Sequence, residues 1–490
     1  MLPPFTRSLL PALAALPLLS CPLPARALDR IDLEMPVLGL RFSVSLAELE
    51  NPEALWQGTS DLAEINRASR GVLGRRVRQV FHTPLPLQTR QVLDQVAGTP
   101  LLEQALLVAT ALGQVDGLPP DLSGELLTAT LERASVNGDL TLLSFLRAVP
   151  GESASVNLPR ALGVLQRTVD QRRQAGALVE SGPVVGVSAA LTQAGGRSLR
   201  REELALAVNH RPVPLQVLRI QPERDANGRL VVISHGLWDR PESFEGWARH
   251  LASHGYRVLL PRHPGSDSSQ QQAMLSGKTP PPSPEELLLR PRDVSAVIDA
   301  DGAAAAVVIG HSWGATTALQ LAGAQPSGNR LRERCRDLND PERNPSWLLQ
   351  CSFLDAADRA GLADARVRAV AAVSPPLRLL FDDGAEQSMS ARALLVSGSR
   401  DWVVTPDPEA VEPFQPAYRY GHQLVLAAGG DHFNLRAPAE GRGGPLAALL
   451  LAWVDVAYAA GEKVRPAADA PPLLSPAGWG SAELPLVLVR

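Results

Sequence analysis

Seven apolar residues, Ala303 to Ile309, lead directly into Gly310-His311-Ser312-Trp313-Gly314 and then into the alanine-rich stretch Ala315 to Ala322. An uninterrupted apolar run of that length suits a strand buried on both faces of a parallel sheet. The stretch after it reads as a helix. A G-x-S-x-G pattern set between strand and helix is a nucleophile elbow, a turn so sharp that its serine sits on strained backbone. Gly310 and Gly314 are required because neighbouring backbones pass where a Cβ would stand. The turn holds the Ser312 hydroxyl up at the carboxyl edge of the sheet. The N–H groups that follow lie at a helix N-terminus, where a developing oxyanion is stabilised. These 20 or so residues commit the chain to an α/β architecture with a parallel central sheet.

The remaining 470 or so residues allow two or three domains. With 45% hydrophobic and 20% charged residues, the composition is that of a globular protein, and a formal charge of −4 leaves no dominant basic face for nucleic acid. Residues 1–27 read as a signal peptide. Arg7 supplies the positive start, Leu9 to Leu19 an apolar core too short to span a bilayer, and Ala25-Arg26-Ala27 the cleavage site. Leu18-Leu19-Ser20-Cys21 competes as a lipidation site, and membrane association is expected only if Cys21 carries a lipid. Export to the periplasm or medium follows from either reading. In an oxidising compartment Cys335 and Cys351 are expected to pair, the alternative being two free buried thiols.

Residues 28–180 read as a mainly helical N-terminal domain. One or two strands fit the alternation between Asp29 and Ser45. Amphipathic stretches follow at Leu46–Leu55, Leu62–Ile65, Val72–Val80, Val92–Val96, Leu101–Leu112, Leu122–Leu131, Leu140–Val149 and Leu158–Arg173, broken by glycine or proline. None of them carries a catalytic spacing. Val184 to Ser198 is a connector.

From residue 200 to 465 the pattern is that of alternating strands and helices. Arg229 to Ser234 is a buried strand ending in His235-Gly236-Leu237-Trp238. There Gly236 lets the Leu237 N–H turn toward the serine, as half of an oxyanion hole whose other donor is the Trp313 N–H. His235 at the strand end is expected to be structural. Residues 326–362 form a lid-like insertion holding both cysteines, or else an ordinary surface excursion. Ala393 to Ser399 is a strand delivering Asp401, and Leu424 to Leu426 a strand followed by Gly429-Gly430-Asp431-His432. The order Ser312, Asp401, His432 makes a nucleophile, an orienting acid and a base. Asp407 and the Asp382-Asp383 pair are rivals for the acid. His422 precedes its strand and is expected to face the opposite edge. Residues 466–490 are expected to form a C-terminal tail.

The segments HGLW, LASHGYRVLLPRHPGSD, VVIGHSWG, VSGSRDWVV and GGDHF together resemble the platelet-activating-factor acetylhydrolase and dienelactone-hydrolase-like branch of the α/β-hydrolases, over roughly residues 215–456. The whole layout resembles exported cyanobacterial α/β-hydrolases with an N-terminal helical domain. Ala315 departs from the second glycine that follows the elbow in many relatives. The resemblance implies a serine carboxylester hydrolase with Ser312, Asp401, His432, Leu237 and Trp313 in its site, no cofactor or metal, and a small-molecule or lipid ester as substrate. An amidase or thioesterase with the same residues, or a non-catalytic envelope binding protein, are the alternatives.

Overall fold

The computed structural model describes residues 27–35, 39–82, 113–116, 129–130, 132–134, 136, 140–337, 340, 342–359, 361–440, 443–461 and 465–489. Residues 1–26, Cys21 among them, lie outside these, as do Val92–Val96, Leu101–Leu112 and most of Leu122–Leu131.

The N-terminal unit holds more sheet than its sequence suggests. Strands β1 (Arg30–Met35), β2 (Leu40–Ser45), β3 (Gly113–Val115) and β4 (Ser153–Asn157) form a four-stranded sheet in the order β2-β1-β4-β3. β1 runs antiparallel to β2 and parallel to β4. Short helices at Pro52–Gln57, Asp61–Ala68, Val72–His82 and Leu142–Ala148 pack beside it around Leu28, Leu46, Leu49, Leu55, Leu62 and Leu143. Thr141 and Ser144 cap the last of these reciprocally.

The long helix Leu158–Ser181 leaves this unit and enters the next. Ala175 on its second half is fully buried within the core of the larger sheet, with Leu178 and Val179 packed against that core. An N-terminal domain ending at residue 180 therefore shares its last helix with the part that follows.

That part is a nine-stranded sheet. Its strands are β5 (Leu199–Leu206), β6 (Leu215–Pro222), β7 (Leu230–Ser234), β8 (Arg257–Pro261), β9 (Ala306–His311), β10 (Val367–Val373), β11 (Arg392–Gly398), β12 (Gln423–Ala427) and β13 (Leu486–Val489). The order is β13-β12-β11-β10-β9-β7-β8-β6-β5. From β8 through β12 all pairs are parallel, and β5, β6 and β13 are antiparallel at the edges. The central strands are largely apolar because both faces are covered. Leu230, Val232 and Val308 face the helices Glu286–Asp301 and Trp313–Leu321. Val231, Ile233, Val307 and Ile309 face Trp247 and Trp453 on the helices Glu245–Ser253 and Ala447–Ala459. Each such side chain contributes roughly 1.5–3 kcal/mol by leaving water. This is the α/β-hydrolase fold.

One expectation needs correction. Residues 466–490 are not a tail: β13 pairs with β12 and Trp479 is buried, because Leu486-Val487-Leu488-Val489 covers an otherwise open sheet edge. On the other side of the sheet, Ser268–Leu275 is a helix capped by Asp267.

Candidate active site

The elbow is built as its glycines require. Ser312 has φ +53° and ψ −122°, a conformation that costs a non-glycine residue of order 1–3 kcal/mol. A Cβ on Gly310 would lie 2.0 Å from the Gly314 carbonyl oxygen, and one on Gly314 would lie 2.0 Å from the Ser234 carbonyl oxygen. Ser312 donates its N–H to Val373 O at 2.9 Å, and its own carbonyl starts the helix by accepting from Ala315 and Thr316. Trp238 and Ser374, at the ends of β7 and β10, also have positive φ. Strain thus gathers at the carboxyl ends of three adjacent strands.

The turn after β7 lies against the elbow: a Cβ on Gly236 would stand 3.2 Å from Ser312 Cβ. Trp238 donates its N–H to Ser266 O at 2.7 Å. Among the described residues the Leu237 and Trp313 N–H groups meet no backbone acceptor, while the N–H groups of Trp238, Ser312 and Ala315 do. The sequence assigns the oxyanion-hole role to these same two N–H groups. His235 is structural in its contacts. Its Nδ1 donates to Gly236 O at 2.7 Å and its Nε2 accepts from His263 N at 3.1 Å. Burial holds its pKa well below the ordinary histidine value, so it is neutral.

Asp401 and His432 meet across the ends of β11 and β12, with His432 Nδ1 2.9 Å from Asp401 Oδ2. The other carboxylate oxygen accepts from Val403 N at 2.9 Å and Val404 N at 2.8 Å, which fixes the plane of the acid. A Cβ on Gly398 would lie 2.4 Å from Gly430 O, so glycine lets the two loops cross. Asp431 caps the turn beyond the histidine by accepting from Phe433 N and Asn434 N, both at 2.8 Å. His311 Nε2 donates to His432 O at 2.9 Å and ties the loop after β12 to the elbow. Among the described residues, no hydrogen bond joins Ser312 to His432. With Nδ1 engaged by the acid, Nε2 is the nitrogen left for the serine side; catalytic contacts are often open without substrate. Of the rivals, Asp383 pairs with Arg330 and Arg378, and His422 sits buried at the amino end of β12.

Cys335 and Cys351 are joined in a disulfide. The insertion they close is packed. Phe353 lies against the Trp313 ring with centroids 4.4 Å apart, and Trp313 Nε1 donates to Leu349 O at 3.1 Å. Trp347 is buried between the Arg334 and Arg343 guanidinium groups. The buried Glu409 carboxylate binds the insertion through Ser346 and Gln350 and the loop after β10 through Leu377 N and Arg378 N. The insertion therefore forms a wall beside the elbow helix.

Sequence reasoning missed a buried charged cluster beneath the β7 turn. Arg211 bonds both Glu286 and Asp293. Asp293 also holds His263 Nδ1 at 2.8 Å, whose Nε2 meets Ser234 Oγ at 2.9 Å. Arg290 donates to His235 O at 2.9 Å, to Gly236 O at 3.2 Å and to Ser266 Oγ at 3.0 Å. It thereby grips the turn that presents Leu237. Burial lowers Arg290 to about 10 and His263 to about 4. The signal available was an arginine and two acids on one face of Glu286–Asp301, which reads equally as a solvated helix.

Residues 229–338 match a family described as alpha/beta hydrolase fold. Over 106 residues the chain is 37% identical to Epoxide hydrolase B of Mycobacterium tuberculosis strain ATCC 25618 / H37Rv, a stretch covering 21% of this chain and 27% of that protein. The protein of the same name from strain CDC 1551 / Oshkosh matches equally. The match thus spans about a quarter of the length of these curated relatives.

Proposed function

We propose that this protein is a serine carboxylester hydrolase that works through an acyl-enzyme. The observation that supports it most is the Asp401–His432 pair at 2.9 Å, held by its carbonyl against the strained elbow that carries Ser312. In this reading His432 Nε2 takes the Ser312 proton as Oγ attacks the ester carbonyl. The carbonyl electrons move onto oxygen, where the Leu237 and Trp313 N–H groups stabilise the charge. The intermediate collapses with loss of the alcohol, which leaves with the proton from His432. Water, deprotonated by the same nitrogen, then releases the acid and restores Ser312. Asp401 holds the imidazole tautomer and stabilises its charged form. One oxyanion donor is worth about 2.7–4 kcal/mol in such a site.

The name of the similar mycobacterial proteins favours a second reading, opening of an epoxide. The chemistry of Ser312 disfavours it. A serine hydroxyl adding to an epoxide carbon gives an ether, which offers water no acyl carbon, so the enzyme would stop after one cycle. An amide or thioester fits the same residues, and a small or lipid-type ester fits the apolar wall formed by the insertion. The expected signal segment and the disulfide support action outside the cytoplasm. Hydrolysis of p-nitrophenyl butyrate by the mature protein, lost in Ser312→Ala, is the expected result. Turnover of styrene oxide with no ester hydrolysis would contradict the assignment.

A further inference from the structure

Leu237 can offer its N–H to an oxyanion only while the peptide group before it keeps one orientation. In a planar trans peptide the N–H and the preceding C=O point in opposite directions. Whatever fixes the Gly236 carbonyl therefore aims the Leu237 N–H. That carbonyl is held twice, by the His235 Nδ1–H at 2.7 Å and by Arg290 Nη2 at 3.2 Å, so both of its lone pairs are used. Arg290 Nη2 also donates to His235 O at 2.9 Å, and Arg290 Nε to Ser266 Oγ at 3.0 Å. Ser266 O in turn accepts the N–H of Trp238, a residue at φ +57°. One guanidinium thus pins both carbonyls before Leu237 and, through Ser266, the residue after it.

The second donor lies beside the same group. Arg290 Cζ stands over the Trp313 ring, 5.9 Å from its centroid, within the range of a cation–π contact. A proline fixes the helix that carries Arg290 to the elbow helix. Pro291 lacks the N–H that would bond four residues back, and Leu287 O accepts instead from Gln320 Nε2 of the elbow helix at 3.0 Å.

The Arg290 charge is directed at the turn rather than at a carboxylate. Among the described residues its one ion pair is with Glu286 at 4.0 Å, and the Glu286 oxygens bond Arg211 and Ser266. Burial lowers Arg290 only to about 10, so it is cationic near pH 7. A cation on Gly236 O draws electron density toward that oxygen. The Leu237 N–H at the other end of the same amide becomes a stronger donor, as in chains of hydrogen bonds that polarise one another.

We propose that Arg290 is a positioning residue of the oxyanion hole, which aims the Leu237 N–H through the Gly236 carbonyl and strengthens it as a donor through its charge. The inference rests on the serine-hydrolase reading above and adds to it a residue that acts only through the turn.

The test follows the oxyanion itself. Hexyl trifluoromethyl ketone, labelled with ¹³C at its carbonyl, takes up a nucleophilic serine across the C=O bond as a hemiketal. The hemiketal hydroxyl gives up its proton more readily where an oxyanion hole holds the anion, and ¹³C NMR of the purified protein follows that ionisation with pH. In Arg290→Met the hemiketal pKa is expected to rise by about one unit, a tenfold weaker hold on the anion. With p-nitrophenyl butyrate, kcat should fall roughly 10–100-fold at unchanged KM, short of the 10²–10³ that loss of a whole donor costs. Arg290→Lys keeps the charge without the planar fork. It is expected to fall between the two, and it carries the test should Arg290→Met fail to fold. A hemiketal pKa equal in the wild type and the folded variants would overturn the inference, whatever stability they lose. A wild-type protein that forms no hemiketal would instead overturn the serine-hydrolase reading beneath it.

Discussion

Two regions of the molecule hold a histidine against an aspartate in nearly the same way. At the carboxyl edge of the sheet His432 Nδ1 lies 2.9 Å from Asp401. Beneath the β7 turn His263 Nδ1 lies 2.8 Å from Asp293, and a serine, Ser234, completes a buried Ser–His–Asp chain at 2.9 Å. What separates them is the rest of their surroundings. Ser234, His263 and Asp293 are each fully buried, and Asp293 also serves Arg211 and His210. Burial, with Arg290 and Arg211 beside it, lowers His263 to about 4 despite Asp293, so the ring stays neutral near pH 7. Ser234 lies within regular β7, while Ser312 stands on a strained turn between two free N–H donors. Histidine-to-aspartate geometry alone does not make a base. In the proposed reading, the open second ring nitrogen of His432 and the strained backbone under Ser312 set the two chains apart.

The largest expected effect separates the two chains by activity. Ser312→Ala should lower kcat toward p-nitrophenyl butyrate by about 10⁶-fold, and Asp401→Asn by about 10⁴-fold. Ser234→Ala should leave kcat within a few-fold and cost about 1–3 kcal/mol of stability through the unpaired His263 nitrogen. Comparable activity losses in Ser234→Ala and Ser312→Ala would erase the distinction.

Stability should then rank them in reverse. Asp293→Asn removes the anion from a buried pair and is expected to cost about 3–5 kcal/mol in urea unfolding. Asp401→Asn, which keeps the backbone contacts of its Oδ1 side, should cost less. A smaller effect is expected from the Cys335–Cys351 bridge, which closes a 16-residue separation. Its reduction should lower stability by about 3 kcal/mol, and an unchanged unfolding midpoint would contradict its part in the wall. Acid adds an effect spread over several groups. His263 and His422 are lowered to about 4, and His235 and His311 well below the ordinary value, chiefly by burial. Between about pH 6.5 and pH 4 the unfolded chain therefore binds protons that these histidines refuse in the native state. Stability should fall as pH drops through that window, and unfolding curves that coincide at pH 7 and 4.5 would contradict it.

Much of the edge was legible because its demands are local. A buried strand, two glycines and a serine encode the elbow, and Asp401 and His432 follow directly on apolar runs. The helical N-terminal reading missed β3 and β4 because three to five residues without strong periodicity make strands only when a partner is present. β13 was mistaken for a tail because its pairing with β12 spans some 60 residues and leaves no local trace. The Arg211–Asp293–His263 cluster was illegible for the same reason: its members come from three separate elements, and only burial turns ordinary surface residues into a network.

The most direct test is labelling of the purified protein with a fluorophosphonate, followed by intact mass and peptide mapping. One adduct on Ser312, absent in His432→Ala and with Ser234 unmodified, is the expected result. An adduct on Ser234, or none on the folded protein, would contradict the assignment of Ser312, Asp401 and His432 as the working site.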